Sequence, residues 1–130
     1  MFRTFLKALC ALVISVPAVH AETVPSKSLY LIDGDTAKYN GQTYRLVGYD
    51  TPETWMPKCD FEQALGEMAT ERARQLVRDA GAVNFTILPG KDVYNRGLAR
   101  IAIKGNDLGD ILISEGLARR YVSGKRKAWC

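Results

Sequence analysis

The residues of this chain that could do chemistry are charged side chains in four separate groups along the sequence. They are Asp33 with Asp35, Arg45, Asp50 with Glu53, and Asp92 with Arg96. Each also has an ordinary structural explanation, because aspartate favours turns and a single arginine covers apolar surface with its stem. A site built from them would work through carboxylates, guanidinium groups and a hard metal ion.

The first 21 residues predict a secretory signal peptide, and its removal narrows the possible chemistry. A basic start, an apolar run of nine residues and a small-residue ending follow one another there. The run is far shorter than the roughly 20 residues that span a bilayer, which argues against a membrane anchor. Cleavage after Ala21 removes His20, the only histidine. The mature domain, residues 22–130, then has no histidine base and no histidine-bound zinc.

The composition is that of an ordinary globular protein. The 130 residues are 47% apolar and 25% charged, and no repeat occurs. The full chain carries 18 basic and 14 acidic residues, and the predicted mature domain keeps 16 and 14. This near balance permits contact with a polyanion but lacks the basic surface of a histone. We expect one secreted or periplasmic domain, not attached to the membrane.

Two cysteines, Cys59 and Cys130, remain in the predicted mature domain. An oxidising compartment favours a disulfide between them, and the alternative is two unpaired buried thiols. The bridge would close a loop of about 70 residues, which the chain-entropy model values at roughly 4 kcal/mol. It would also tie down the basic tail at residues 125–127. We expect its loss to lower stability and free this tail, with little direct effect on a chemical step.

The elements expected to position these residues are five short strands, one long helix and one short helix. The strands are predicted at residues 28–32, 36–39, 42–47, 83–87 and 97–104, and the helices at 61–80 and 110–115. We expect Asp60 to cap the long helix and Pro89-Gly90 to end the fourth strand. A sheet this small must hide its edges, so the class is α+β with a small closed or nearly closed barrel.

A hairpin is the most specific local prediction. Asn40-Gly41 lies between two strand-like runs, and both residues accept positive φ. A two-residue loop there pairs Thr36 with Arg45, which brings Arg45 beside Asp35. A cation and a carboxylate are thereby predicted at one end of the sheet.

Several dispersed motifs occur along the chain in a characteristic order. They are Asp33-Gly34-Asp35-Thr36, Arg45-Leu46, Asp50-Thr51-Pro52-Glu53, Glu62 with Gly66, Asp92-x-Tyr94-x-Arg96-Gly97-x-Ala99, and Gly116-Leu117-Ala118. In this combination the chain resembles the staphylococcal nuclease-like, or thermonuclease, family over about residues 29–121. The resemblance implies a five-stranded barrel of the OB-fold type with helices packed on it. It also implies Ca²⁺-dependent hydrolysis of phosphodiester bonds in DNA, RNA or both, with low sequence selectivity.

The resemblance further implies a role for each matching site residue. Asp35 and Asp50 would bind Ca²⁺ through their carboxylates, and Thr51 through its main-chain carbonyl. These are oxygen ligands, which Ca²⁺ requires. Glu53 would act as the general base or position the attacking water.

The matching arginines and tyrosines would contact the substrate. Arg45 and Arg96 would bind the scissile phosphate, for which their paired donors and permanent charge are suited. Tyr94 and Tyr121 would stack on bases. Asp33 and Glu62 are interpreted as a turn-former and a loop-ordering residue rather than as catalytic groups.

The chain departs from the family pattern between Tyr94 and Arg96, where Asn95 replaces a usual glycine. Asparagine tolerates left-handed backbone best after glycine, so we expect the turn to survive.

Two other functional hypotheses compete with a nuclease. One is a non-catalytic OB-fold module that binds nucleic acid, oligosaccharide or protein, and the other is a small structural exported protein. Because no site residue of the family is missing, the sequence favours a monomeric enzyme acting on nucleic acid.

Overall fold

The computed structural model describes residues 9–16 and 19–130. Residues 1–8 and 17–18 of the predicted signal peptide lie outside the described residues. Across the described ranges, no helix is long and apolar enough to cross a membrane.

Nine strands and two α-helices form the described part of the chain. In chain order they are β1 (His20–Pro25), β2 (Leu29–Asp33), β3 (Thr36–Tyr39), β4 (Gln42–Leu46), β5 (Tyr49–Asp50), α1 (Asp60–Ala80), β6 (Ala82–Lys91), β7 (Gly97–Ile103), β8 (Asn106–Asp107), α2 (Leu108–Ser114) and β9 (Arg119–Arg120). A 3-10 turn at Ser26–Ser28 joins β1 to β2.

The main sheet runs in the order β1-β6-β7-β4-β3-β2, with β8 added to β7, while β5 and β9 form a separate pair. β4 and β7 are parallel, and the other neighbours are antiparallel. The α+β, OB-type class is therefore confirmed. Closure of the barrel was predicted but is not seen, because β1 and β2 end the sheet without pairing within the described residues. Arg74 covers the open edge instead, donating to the carbonyls of Leu31 and Ile32.

The β3–β4 hairpin has the predicted register. Thr36 pairs with Arg45 across it, and the loop residues Asn40 and Gly41 have φ of 48° and 75°. This two-residue turn matches the strand twist only when both central residues are left-handed. The hairpin therefore places Arg45 beside the Asp35 corner, as the sequence predicted.

The buried face of α1 only partly follows the residues at helical spacing that predicted the helix, which are Phe61, Leu65, Met68, Arg72 and Leu76. Leu65 and Leu76 are partly buried against the core. Phe61 and Met68 are 62% and 59% exposed. The buried positions instead are mostly small residues, namely Glu62, Gly66, Ala69, Thr70, Ala73 and Val77. Small side chains let the helix approach the sheet and the Pro52 segment closely, which a row of large side chains would prevent.

Three predicted element ends were wrong. The N-cap of α1 is Cys59, and Asp60 lies in the first turn, where its charge still favours the helix dipole. β6 continues through Pro89-Gly90 to Lys91, because a register shift after Leu88 takes the proline out of the ladder. The short helix starts at Leu108, because the Asp107 carboxylate caps it by accepting from the Gly109 N–H at 2.8 Å.

Cys59 and Cys130 are joined by a disulfide, with their Cα atoms 6.2 Å apart. The bond links the residue that precedes α1 to the C-terminus. The tail that follows β9 is thereby returned to the loop after Glu53.

Candidate active site

Arg45 lies between two aspartates and holds them at one site. Its Nη1 is 3.3 Å from Oδ2 of Asp35, and its Nη2 is 3.6 Å from Oδ1 of Asp50. The exposed fractions of the three side chains are only 13%, 10% and 6%. Two carboxylates from distant parts of the chain therefore share one buried cation.

The same guanidinium also fastens the main chain around it. Nη1 of Arg45 donates to the carbonyls of Asp35 at 3.2 Å and Leu46 at 2.7 Å, and Nη2 donates to the Tyr49 carbonyl at 2.9 Å. These bonds connect the start of β3, the end of β4 and β5. Arg45 therefore builds the corner that presents Asp50, in addition to supplying charge.

The carboxylate of Asp35 is fixed by two further donors. The Thr51 N–H donates to its Oδ2 at 3.0 Å, and the Thr36 hydroxyl donates to its Oδ1 at 3.1 Å. Gly34 permits the close approach, since a Cβ there would lie 2.6 Å from Cγ2 of Thr51. Asp35, Asp50 and the Thr51 main chain are thus packed against one another.

This donor set suits a hard cation. Carboxylate and main-chain oxygens are the ligands that Ca²⁺ and Mg²⁺ take. No group of three or more histidine, cysteine, aspartate or glutamate side chains among residues 9–16 and 19–130 could hold a metal by itself. A cation at Asp35 and Asp50 would therefore complete its shell with main-chain oxygen and water.

Burial is the main influence on the pKa of Asp50, and it raises that pKa above its ordinary range. The nearby Asp35 charge acts in the same direction, while Arg126 and Arg45 oppose it. Burial and the Asp35 charge therefore disfavour the charged form of Asp50 more than the two arginines favour it.

Glu53 is held in place by the backbone of α1. A Cβ on Gly66 would lie 2.7 Å from the carbonyl oxygen of Pro52 and 3.0 Å from that of Glu53. Because glycine has no Cβ, the helix can pack against the segment that carries Glu53. Gly66 is thus a positional requirement of the site.

Replacing Gly66 with alanine should shift the Glu53 segment and destabilise the protein. The added methyl overpacks a rigid backbone contact, which costs about 1–3 kcal/mol. Alanine has a higher helix propensity than glycine by up to about 1 kcal/mol, which favours the variant. A net loss of stability would therefore be due to the clash. Thermal denaturation of Gly66→Ala beside the exposed control Met68→Ala measures it. A Gly66→Ala protein more stable than the parent would contradict the close contact.

Arg96 is anchored by its own turn. Its Nε lies 2.6 Å from Oδ2 of Asp92, whose Oδ1 accepts from the N–H groups of Tyr94 and Arg96. Asn95 has φ of 61°, the left-handed conformation that the sequence predicted. Burial raises the pKa of Asp92, but the hydrogen bonds from Arg96 outweigh it and the net pKa is lowered.

The sheet register places Arg96 directly before β7, the strand that pairs with the Arg45 strand β4. β7 begins at Gly97, opposite Tyr44 of the parallel strand β4. A Cβ on Gly97 would lie 2.6 Å from the Tyr44 ring, so glycine is needed there. Arg96 therefore stands two positions before Leu98, the register partner of Arg45, and its ion pair is with Asp92 rather than with the buried aspartates.

The two predicted stacking tyrosines have different surroundings. Tyr94 is 76% exposed, and the guanidinium carbon of Arg96 lies 5.3 Å from its ring centre. Tyr121 is partly buried, and its hydroxyl donates to the Gly124 carbonyl at 2.7 Å. Tyr94 is free to contact a base, whereas Tyr121 is occupied in organising the C-terminal tail.

Asp33 and Glu62 have the structural surroundings expected of supporting residues. Oδ1 of Asp33 accepts from the Asp35 N–H at 3.1 Å, forming the turn that carries Asp35. Burial, followed by the charge of Asp35, raises the pKa of Asp33 to about 7. Glu62 is buried and accepts from the Lys58 N–H at 2.7 Å, so it orders the loop before α1.

Replacing Asp33 with asparagine should stabilise the cation-free protein at high pH. The folded pKa of about 7 exceeds the ordinary 3.8, so folding stability falls as the pH rises through this range. Asparagine keeps the acceptor and removes that penalty. Melting temperatures in EDTA should show a gain at pH 8 that shrinks towards pH 4.5. A gain that does not grow with pH would contradict the raised pKa.

Arg126 is a site residue that sequence reasoning missed. Its Nη1 lies 2.8 Å from Oδ1 of Asp50, and its Nη2 lies 2.9 Å from Oε1 of Glu53. The predicted disulfide was the available signal, because Cys59 stands six residues after Glu53 and pulls the tail back to it. The sequence could not predict that the Arg126 side chain points towards Asp50 and Glu53.

Comparison with known proteins gives a consistent result. A family model described as staphylococcal nuclease homologue matches residues 43–128, which include each site residue above except the Asp33–Asp35 turn. The chain is 40% identical over 94 residues to endonuclease YncB of Bacillus subtilis (strain 168), covering 68% of this chain and 44% of YncB. It is 39% identical over 94 residues to the SPbeta prophage-derived endonuclease YokF of the same organism, covering 68% and 31%.

The chain spans less than half the length of these two curated relatives. The family match nevertheless covers more than half of this chain and runs from the second residue of β4 past β9. The chain belongs to the family of staphylococcal nuclease homologues.

Proposed function

We propose that this protein is an exported, Ca²⁺-dependent nuclease that hydrolyses phosphodiester bonds of DNA, RNA or both with low sequence selectivity. The observation that carries the proposal is the convergence of Asp35 and Asp50 on Arg45, with Glu53 joined to the same cluster through Arg126. The relatives named as endonucleases support nucleic acid as the substrate.

In this proposal Asp35, Asp50 and the Thr51 carbonyl hold the cation. When bound, Ca²⁺ would supply positive charge to a phosphate oxygen and to a nearby water. The buried aspartates suit this role, because their repulsion is relieved by added positive charge. The Thr51 N–H donates to Asp35, which places the Thr51 main chain beside this carboxylate.

Glu53 accepts the proton of the attacking water or orients that water. Residues 22–130 contain no histidine, so a carboxylate is the natural base. Glu53 is the more accessible carboxylate, with 37% of its side chain exposed against 6% for Asp50. It can therefore reach a water that the buried aspartates cannot.

Arg45 and Arg96 stabilise the negative charge that develops on the phosphate. Arg45 does so from a fixed position, since three carbonyls orient its guanidinium. Such prearranged donors cost no reorganisation when charge develops. Exposed Tyr94 adds a stacking surface for a base beside Arg96.

Export and the monomeric state are also part of the proposal. The basic, apolar and small-residue segments of residues 1–21 support cleavage after Ala21. Such cleavage would leave Glu22 to Pro25 of β1 paired with β6, so most of this strand survives in the mature domain. N-terminal sequencing of the exported form should begin at Glu22.

The decisive experiment digests plasmid DNA and a structured RNA with the mature protein in Ca²⁺, Mg²⁺ or EDTA. Cleavage in Ca²⁺ that is abolished by EDTA supports the proposal. The Asp35→Ala and Asp50→Ala variants should both need a higher Ca²⁺ concentration than the parent for half-maximal rate. A well-folded protein inactive on both substrates would overturn it in favour of a non-catalytic binding module.

A further inference from the structure

The C-terminal tail after β9 passes over the carboxylates of the candidate active site. Only the middle residue of its basic run, Arg126, makes ion pairs there, one with Asp50 and one with Glu53. The neighbours Lys125 and Lys127 are exposed. The tail therefore presents one guanidinium to the two groups that the proposed reaction uses.

Several contacts hold the tail in this position. The Cys59–Cys130 disulfide fixes its end. Arg119 of β9 holds the two residues before Cys130. Its guanidinium carbon lies 3.7 Å from the Trp129 ring centre, and its Nη1 donates to the Ala128 carbonyl at 2.8 Å. A group tethered in this way acts at a high local concentration, so the Arg126 contacts form without a large entropy loss.

The contact of Arg126 with Asp50 places a second positive group on one oxygen of a proposed cation ligand. Oδ1 of Asp50 already faces Nη2 of Arg45 at 3.6 Å and Nη1 of Arg126 at 2.8 Å. Bound Ca²⁺ lies about 2.3–2.6 Å from each carboxylate oxygen that ligates it. A divalent cation on this carboxylate would lie within a few ångströms of the Arg126 guanidinium, and the two positive charges would repel each other. Cation binding at Asp50 is therefore expected to weaken the Arg126 contact.

We propose that Arg126 is an internal competitor of the divalent cation, held over Asp50 and Glu53 by the disulfide-anchored tail. The tail then sets the cation affinity of the site and keeps the Glu53 carboxylate paired until Arg126 leaves. This inference rests on the proposed cation site at Asp35 and Asp50. It assigns to the tail a direct role, in contrast to the expectation from sequence that freeing the tail leaves the chemistry nearly unaffected.

The test measures Ca²⁺ binding by isothermal titration calorimetry on the purified mature protein without nucleic acid. Arg126→Gln should bind Ca²⁺ about tenfold more tightly than the parent, because a charge-assisted competitor has been removed. Lys125→Gln is the matched control, since it removes the same charge from the adjacent residue without touching the site. Its affinity should stay close to that of the parent.

A double variant tests the contribution of the tether. Cys59→Ser with Cys130→Ser should also tighten Ca²⁺ binding, and adding Arg126→Gln to it should have a smaller effect than in the bridged protein. Unchanged or weaker Ca²⁺ binding in folded Arg126→Gln would overturn the competitor role while leaving the cation site intact. A parent that binds no Ca²⁺ would instead overturn the cation site itself.

Discussion

Arg45→Lys is expected to lower turnover about a thousandfold or more at saturating Ca²⁺. Lysine keeps the charge, but a single ammonium group cannot donate to the carbonyls of Asp35, Leu46 and Tyr49 while also facing two carboxylates. Loss of one prearranged donor to a developing oxyanion typically costs about 10²–10³ in rate. Here the substitution also removes the hydrogen bonds to three carbonyls and so loosens the corner that carries Asp50.

Comparison with Arg96→Lys separates the effect of Arg45 on the phosphate charge from its effect on the stability of the Asp50 corner. Arg96 bonds to Asp92 within its own turn and to no main-chain carbonyl of the Asp50 corner. Its replacement should therefore lower turnover with a smaller fall in melting temperature. Steady-state rates and thermal denaturation of both variants, each checked by circular dichroism, measure the difference. Parental turnover in a well-folded Arg45→Lys protein would contradict the role of this guanidinium.

Glu53→Gln should lower turnover by about 10²–10⁴, the usual contribution of a positioned general base. Glutamine has the same shape and keeps an acceptor for Arg126, so the fold and the tail contact should persist. Because Glu53 is not placed among the cation ligands, Ca²⁺ affinity should not weaken. The loss should therefore be in turnover rather than in the Ca²⁺ requirement.

The matched control for this variant is Glu67→Gln, an exposed position of α1 with the same change of charge. Its turnover should equal that of the parent. Single-turnover cleavage at saturating Ca²⁺ measures both proteins. Equal rates for Glu53→Gln and Glu67→Gln would remove Glu53 from the chemical step and leave water positioning to other groups.

Local sequence signals predicted the parts of the fold whose geometry depends on neighbouring residues. Asn40-Gly41 predicted the hairpin and its register, because both residues must be left-handed there. Asn95 likewise predicted a left-handed turn before Arg96. The extent of α1 was predicted within one residue, while its buried face was not, because burial depends on what the helix packs against.

The sequence by itself determined the family, the order of the site motifs and the residue types available for chemistry, since these depend only on the identity and spacing of side chains. Tertiary structure alone decided that Arg45 also reaches Asp50, that Gly66 meets the Glu53 backbone, and that Arg126 reaches the site. These contacts join residues between 5 and 76 positions apart. Their geometry follows from sheet register, helix packing and a disulfide acting together, which no local propensity encodes.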